Sequence, residues 1–322
     1  MKRSHWITLI ILIVLIGIYF IGKEKQPLER EMSFFSADSA AISKIVLFTP
    51  QDTVTIEKKG NEWKLVHPVV WAVNEQQLDS FFNKVLKIET SITPMSEDPN
   101  LQSMYKVDDK EAVQVKLFNK SGKLLDHVYI GNGASTSYDY GRKQGDKRIY
   151  QFKENLTNLV RPDVYLWRSP NITNLKRDKI DHIDVTYTKN AYMLTILGDS
   201  ISYTDKRESF IIPEFNRAQH KIINALENLM TWQFVDKDTE QYAEAFANPE
   251  CKIVVYLKDK SIKTFTLIRK DTPRENAGPN EPQKDVYVLM MIDDQMTPLY
   301  QMTGDFINRF TRAAMHFKVE YD

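Results

Sequence analysis

The sequence has one cysteine, Cys251, in 322 residues, so no disulfide forms within the chain and a free, buried thiol is expected. It has no surplus of either charge: 43 Lys and Arg balance 43 Asp and Glu. That balance argues against nucleic acid as a partner, because such binding needs a basic face. It also lacks histidines at metal-binding spacing. His5, His67, His127, His182, His220 and His316 are scattered, no pair stands at i, i+4, and no HExxH occurs, so neither metal nor cofactor is expected. No G-x-S-x-G elbow supports a serine hydrolase, although a Ser-His-Asp set needs no adjacency in sequence. The expectation is a protein that is not an enzyme.

One long apolar run is present. Trp6 to Gly22 carries no charge and, as a helix, would be about 25 Å long, the short end of a membrane span. Trp6, Tyr19 and Phe20 stand where interfacial aromatics belong. Lys2 and Arg3 precede the run and favour a cytoplasmic N-terminus. No A-x-A-like cleavage site follows, so an uncleaved signal anchor is expected over 1–22, with a polar tether over 23–41. No second span follows, which places the bulk of the chain outside the cytoplasm.

The stretch from Trp63 to Ile88 sets the architecture. A strand over Trp63–Val66 ends at Pro68, which cannot donate to a ladder. Val69–Val73 is extended. Asn74 is a helix N-cap, with Gln77 placed to reach back as in a capping box. Leu78, Phe81, Phe82, Val85 and Leu86 then make one apolar stripe, which must lie on a sheet. Before this stretch, Ile42–Phe48 and Thr53–Glu57 form a hairpin. After it come strands at Val113–Phe118, Leu124–Ile130 and Arg148–Phe152, then a helix over Leu156–Trp167 interrupted by Pro162.

From Lys179 the same order recurs. Ile180–Tyr187 and Ala191–Leu197 form a hairpin around Lys189-Asn190, and Ser200–Tyr203 is a third strand. Phe215, Ala218, Ile222, Leu226 and Leu229 carry a helical stripe. Cys251–Leu257, Ile262–Ile268, Val286–Ile292 and Leu299–Met302 are strands, Lys270–Lys284 reads as a mobile loop, and Phe306–Phe317 as a terminal helix. The expected fold class is α+β: a transmembrane helix, then two repeated modules over 42–170 and 171–322, each a mostly antiparallel sheet with a covering helix.

Gly131-Asn132-Gly133-Ala134-Ser135-Thr136 follows a strand, but no helix start comes after it, so a hairpin loop is expected rather than a phosphate loop. Tyr138, Tyr140, Arg142 and Lys143 in this glycine- and tyrosine-rich loop offer two readings, a recognition surface or ordinary hairpin decoration. Trp71 is expected to pack between helix and sheet.

Several short runs carry a resemblance: Trp63-x-Leu65 with Pro68, Ala72-Val73-Asn74, the helix Leu78–Leu86, Tyr105-x-Val107-Asp108, the run from Val113 to Gly131, Tyr140-Gly141-Arg142, and Ile149-Tyr150-Gln151-Phe152. On these, residues from about Ile42 to Tyr187 resemble domain of unknown function 4340, a family of bacterial envelope proteins with an N-terminal membrane anchor. Lys106 stands where that family usually has glycine. The resemblance implies an accessory role at the membrane, beside ABC transporters of the gliding-motility type, and supplies no catalytic residues. Expected is a single-pass inner-membrane protein with a periplasmic bulk, binding or scaffolding within a membrane complex. The alternative is an envelope protein that holds a small ligand or glycan between its modules.

Overall fold

A computed structural model describes residues 30–133, 137–188, 190–273 and 284–319. The apolar run Trp6–Gly22 and the turn residue Lys189 lie outside them. Among the described residues no helix is long and apolar enough to cross a membrane. The chain divides into two compact units between Arg168 and Ser169.

In the first unit the strands are β1 (Glu31–Ser33), β2 (Lys44–Phe48), β3 (Thr53–Lys59), β4 (Glu62–His67), β5 (Trp71–Ala72), β6 (Glu89–Ser91), β7 (Val113–Phe118), β8 (Leu124–Asn132), β9 (Asp139–Lys143) and β10 (Tyr150–Phe152). Eight of them form an antiparallel sheet in the order β5-β4-β3-β2-β7-β8-β9-β10, and β1 pairs with β6. Alternation explains the pleat. Ile45 and Leu47 on β2, and Val54 and Ile56 on β3, are fully buried, while their neighbours face outward. Helix α1 (Glu75–Ser80) begins at Asn74, whose side chain accepts from the Gln77 N–H, and continues as a π-helical stretch over Phe81–Val85. Its closing bond runs from the Leu86 N–H to the Phe81 carbonyl at 2.9 Å. Leu78, Phe81, Val85 and Leu86 are buried on the sheet, each such side chain contributing roughly 1.5–3 kcal/mol. Phe82 is half-buried against Trp63, their rings 5.5 Å apart. Trp71 is likewise partly buried against this core.

Two expectations fail here for physical reasons. The segment over 31–41 is not tether: β1 joins a ladder, and Phe34 and Phe35 are buried, Phe34 lying 4.8 Å from the Phe152 ring. Two adjacent aromatics bury too much apolar surface to be left in water. Gln77 does not complete a capping box, because the Asn74 N–H already donates to the Trp167 carbonyl at 2.8 Å. The Gln77 amide donates instead to the Leu159 carbonyl at 2.6 Å. It thereby ties α1 to α2 (Thr157–Val160), which Pro162 separates from α3 (Val164–Trp167).

In the second unit the strands are β11 (Asn171–Thr173), β12 (Ile180–Tyr187), β13 (Asn190–Leu197), β14 (Ser200–Asp205), β15 (Ser209–Ile211), β16 (Leu229–Met230), β17 (Gln233–Val235), β18 (Cys251–Leu257), β19 (Ile262–Pro273), β20 (Lys284–Ile292) and β21 (Gln295–Thr303). The sheet order is β15-β14-β13-β12-β18-β19-β20-β21-β17, and β11 pairs with β16. Apart from β17, this is the strand order of the first sheet, and the small ladder again joins the strand that precedes the main sheet to the strand after the helix. Helix α4 (Arg217–Glu227) is capped by Asn216, which accepts from the N–H groups of Ala218 and Gln219. It buries Ala218, Ile222 and Leu226 as expected. Phe215 and Leu229 do not belong to its stripe: Phe215 precedes the cap and is exposed, and Leu229 lies in β16.

The loop expected over Lys270–Lys284 is narrower. β19 and β20 pair out to Pro273 and Lys284, and 274–283 lie outside the described residues. The helix expected over Phe306–Phe317 is broken into a 3-10 turn, Phe306–Arg309, and a single turn α6 (Met315–Lys318); the short helix before β18 is α5 (Ala243–Ala247). Carbonyls that would have continued the helix are taken from β12 and β13. Tyr192 Oη donates to the Phe310 carbonyl at 2.7 Å and Tyr187 Oη to that of Arg312 at 2.9 Å.

Candidate functional site

A concavity of the first unit has a volume of about 800 Å³ and forms where three connections meet. The β2–β3 turn closes through the Thr49 N–H donating to the Asp52 carbonyl at 2.9 Å and the Asp52 N–H to Thr49 Oγ1 at 3.2 Å. β4 ends at His67 and a cis Pro68. The third wall is Arg161–Tyr165, between α2 and α3. There Asp163 caps α3 by accepting from the Tyr165 N–H at 3.0 Å and pairs with Arg161 at 3.2 Å. Trp167 pins this wall from beneath, its Nε1 donating to the Arg161 carbonyl at 2.9 Å.

The volume lies in the range of small-molecule sites, roughly 300–1,000 Å³. Arg161 is matched by Asp163, so the cavity presents no open cation for an anionic group. It presents hydrogen-bonding side chains, Thr49, Gln51 and His67, and the half-exposed ring of Tyr165. Asp52 also lines the cavity, so the lining favours a polar ligand without negative charge, laid against an aromatic face. Among the described residues no group of three His, Cys, Asp or Glu is placed to hold a metal ion.

Tyr138, Tyr140, Arg142 and Lys143 are not gathered on one loop. β8 runs to Asn132 and β9 starts at Asp139, with Asn132 opposite Asp139, so three of the four are strand residues; 134–136 lie outside the described residues. The two-residue period of the strand then splits them. Tyr140 and Arg142 share the outer face, where Tyr140 packs 4.7 Å from Tyr105 and 5.7 Å from Tyr138. Arg142 is buried; its Nε donates to the Val107 carbonyl at 3.0 Å and its guanidinium lies 4.0 Å over the Tyr129 ring. Lys143 is on the other face, donating to Ser36 Oγ at 2.7 Å beside the Phe34 ring. Arg142 therefore holds the 105–112 segment onto the sheet. Beside it, burial pushes the Tyr129 hydroxyl up and the His127 imidazole down, the latter helped by Lys116 and Arg142.

One residue that sequence reasoning passed over organises this region. Asp139 is fully buried and accepts four donors: the Gly133 N–H at 2.9 Å, the Thr157 N–H and hydroxyl each at 2.6 Å, and the Asn155 amide at 3.4 Å. The signal was faint, a lone acid in a strand next to a glycine-rich turn. Lys106 has φ +53°, the left-handed region. Directly under it lies Gly131, where an added Cβ would collide with the Tyr105 and Lys106 carbonyls. Gly131 thus serves close backbone packing, not phosphate.

Lys106→Gly is expected to stabilise the first unit by about 0.5–1 kcal/mol, the left-handed strain relieved exceeding the entropy glycine costs. Chemical denaturation followed by circular dichroism measures this. A loss of stability would mean that the lysine side chain makes a compensating contact.

A family model described as a domain of unknown function, DUF4340, matches residues 63–249. The match begins at β4 of the first unit, later than Ile42, and extends past Tyr187 through the helix of the second unit. No curated protein and no solved structure matches the chain. Since the match covers more than half of the sequence, the chain belongs to the DUF4340 family.

Proposed function

We propose that this is a non-enzymatic accessory or scaffold protein of the bacterial inner membrane. In this reading Trp6–Gly22 spans the bilayer once, uncleaved, and both units stand on the periplasmic side beside an ABC transporter-type complex. The observation that carries it is the uncharged apolar run, flanked by Lys2 and Arg3 before and Lys23 and Lys25 after. The transporter link rests on the family resemblance alone.

Two measurements test the reading together. The full-length chain is expected to stay in the membrane pellet through a carbonate wash and to be cut by protease added to spheroplasts. A Leu12→Arg, Leu15→Arg variant, each arginine costing roughly 2.5–3.5 kcal/mol mid-span, is expected to fall into the soluble fraction. A soluble wild type overturns the anchor, and native purification in detergent without any membrane complex overturns the accessory role.

A second reading, an envelope protein that binds a small ligand or glycan, is favoured by one observation. The cavity beside His67 and Tyr165 has the size and the polar-aromatic lining for a sugar, and it lies within the first unit.

A further inference from the structure

We infer, building on the membrane-anchor reading, that the turn Ile92–Met95 of the first unit rests on the bilayer surface. The length of the link carries the argument. The apolar run ends at Gly22, and the fold has begun by Arg30, whose carbonyl accepts from the Ile92 N–H at 2.9 Å. The seven residues from Lys23 to Glu29 span at most about 25 Å when fully extended. A compact unit of this size has a radius of gyration of roughly 14 Å, so such a link is shorter than the unit is wide. The unit cannot turn freely on it, and orientations that carry the surface around Arg30 to the side away from the lipid are out of reach.

That surface carries exposed apolar side chains. Ile92, next to Arg30, is 48% exposed, and Met95 is 50% exposed. Met95 is held by its N–H donating to the Ile149 carbonyl at 2.7 Å, so the turn presents both side chains from a fixed backbone. Two neighbouring lysines are matched: Lys153 pairs with Glu31 at 2.8 Å and Lys147 with Glu97 at 3.4 Å. The occupant is therefore the interfacial zone of a zwitterionic bilayer, reached by apolar contact and without need of anionic headgroups.

Fluorescence quenching on the whole chain tests this. Cys251 is fully buried and burial pushes its thiol up to about 12, so it stays unlabelled at neutral pH. Ile92→Cys and Val70→Cys variants are each labelled with an environment-sensitive dye and reconstituted into phosphatidylcholine vesicles containing a headgroup-level nitroxide lipid. Val70 is a fair control: it is apolar and 75% exposed, but it adjoins β5, whereas the Ile92 turn adjoins β10 through the bond from Thr90 Oγ1 to the Gln151 carbonyl. Those edges are seven strand spacings apart, about 34 Å measured along the twisted sheet and less in a straight line.

Expected is quenching with a blue shift at position 92, and neither at position 70. Met95→Cys replaces Ile92→Cys if the latter misfolds. Vesicle-bound protein quenched at neither site, or equally at both, overturns this surface while leaving the anchor standing. Protein that does not float with the vesicles overturns the anchor reading and this inference with it.

Discussion

Trp167→Ala is expected to lower the stability of the first unit by roughly 3–5 kcal/mol. The side chain is fully buried, its ring 6.1 Å from Phe81, so truncation opens a cavity where helix, sheet and the α2–α3 connection meet. The indole also holds the Arg161 carbonyl, which is left without that donor. Since the Trp167 carbonyl receives the Asn74 N–H, a shift of α3 also loosens the cap of α1. With a urea slope of roughly 2 kcal/mol/M, the midpoint should fall by about 2 M. A fall below about 0.5 M would show that the site collapses around the missing ring, and that the wall of the cavity does not depend on it.

Asp139→Ala is expected to cost a similar amount, roughly 3–5 kcal/mol at about 1–3 kcal/mol for each buried donor left unsatisfied, by a different route. No large cavity forms. Instead the Gly133 and Thr157 N–H groups, both turned inward, lose their acceptor. Asp139→Asn should recover only part of the loss: one amide oxygen can still accept from Gly133, but the amide nitrogen then faces the Thr157 N–H. Melting temperatures of the three proteins separate the outcomes. If alanine and asparagine are both tolerated, the donors find other acceptors and Asp139 is not the post joining β9 to α2.

What was legible in the sequence was what is local. The alternating runs at Lys44–Phe48, Val113–Phe118 and Cys251–Leu257 are strands with the expected faces buried, because a two-residue period needs no distant partner to be read. The stripe from Leu78 to Leu86 faces the sheet for the same reason. What failed was decided by residues far away in sequence. Phe34 looks like part of a polar tether until Tyr150 and Phe152 arrive beside it. Phe306–Phe317 has helical spacing, but two tyrosine hydroxyls from a hairpin more than 100 residues earlier capture its carbonyls. Arg142 reads as a surface cation until Tyr129 and Val107 enclose it. The cavity was not legible at all, since Thr49, His67 and Tyr165 come from three separate connections, none with a motif.

The common strand order has a kinetic consequence. In each unit the central neighbours of the sheet, β2 with β7 and β12 with β18, are roughly 65 residues apart in sequence, so a long loop must close before the middle of either sheet can form, at nearly equal entropic cost in both. The flanking hairpins close within microseconds, but these central pairings give both halves a high contact order and slow refolding. Any difference in refolding rate between the halves must then come from what they do not share: α1 in one loop, α4 in the other, and the added pairing of β17 with β21 in the second.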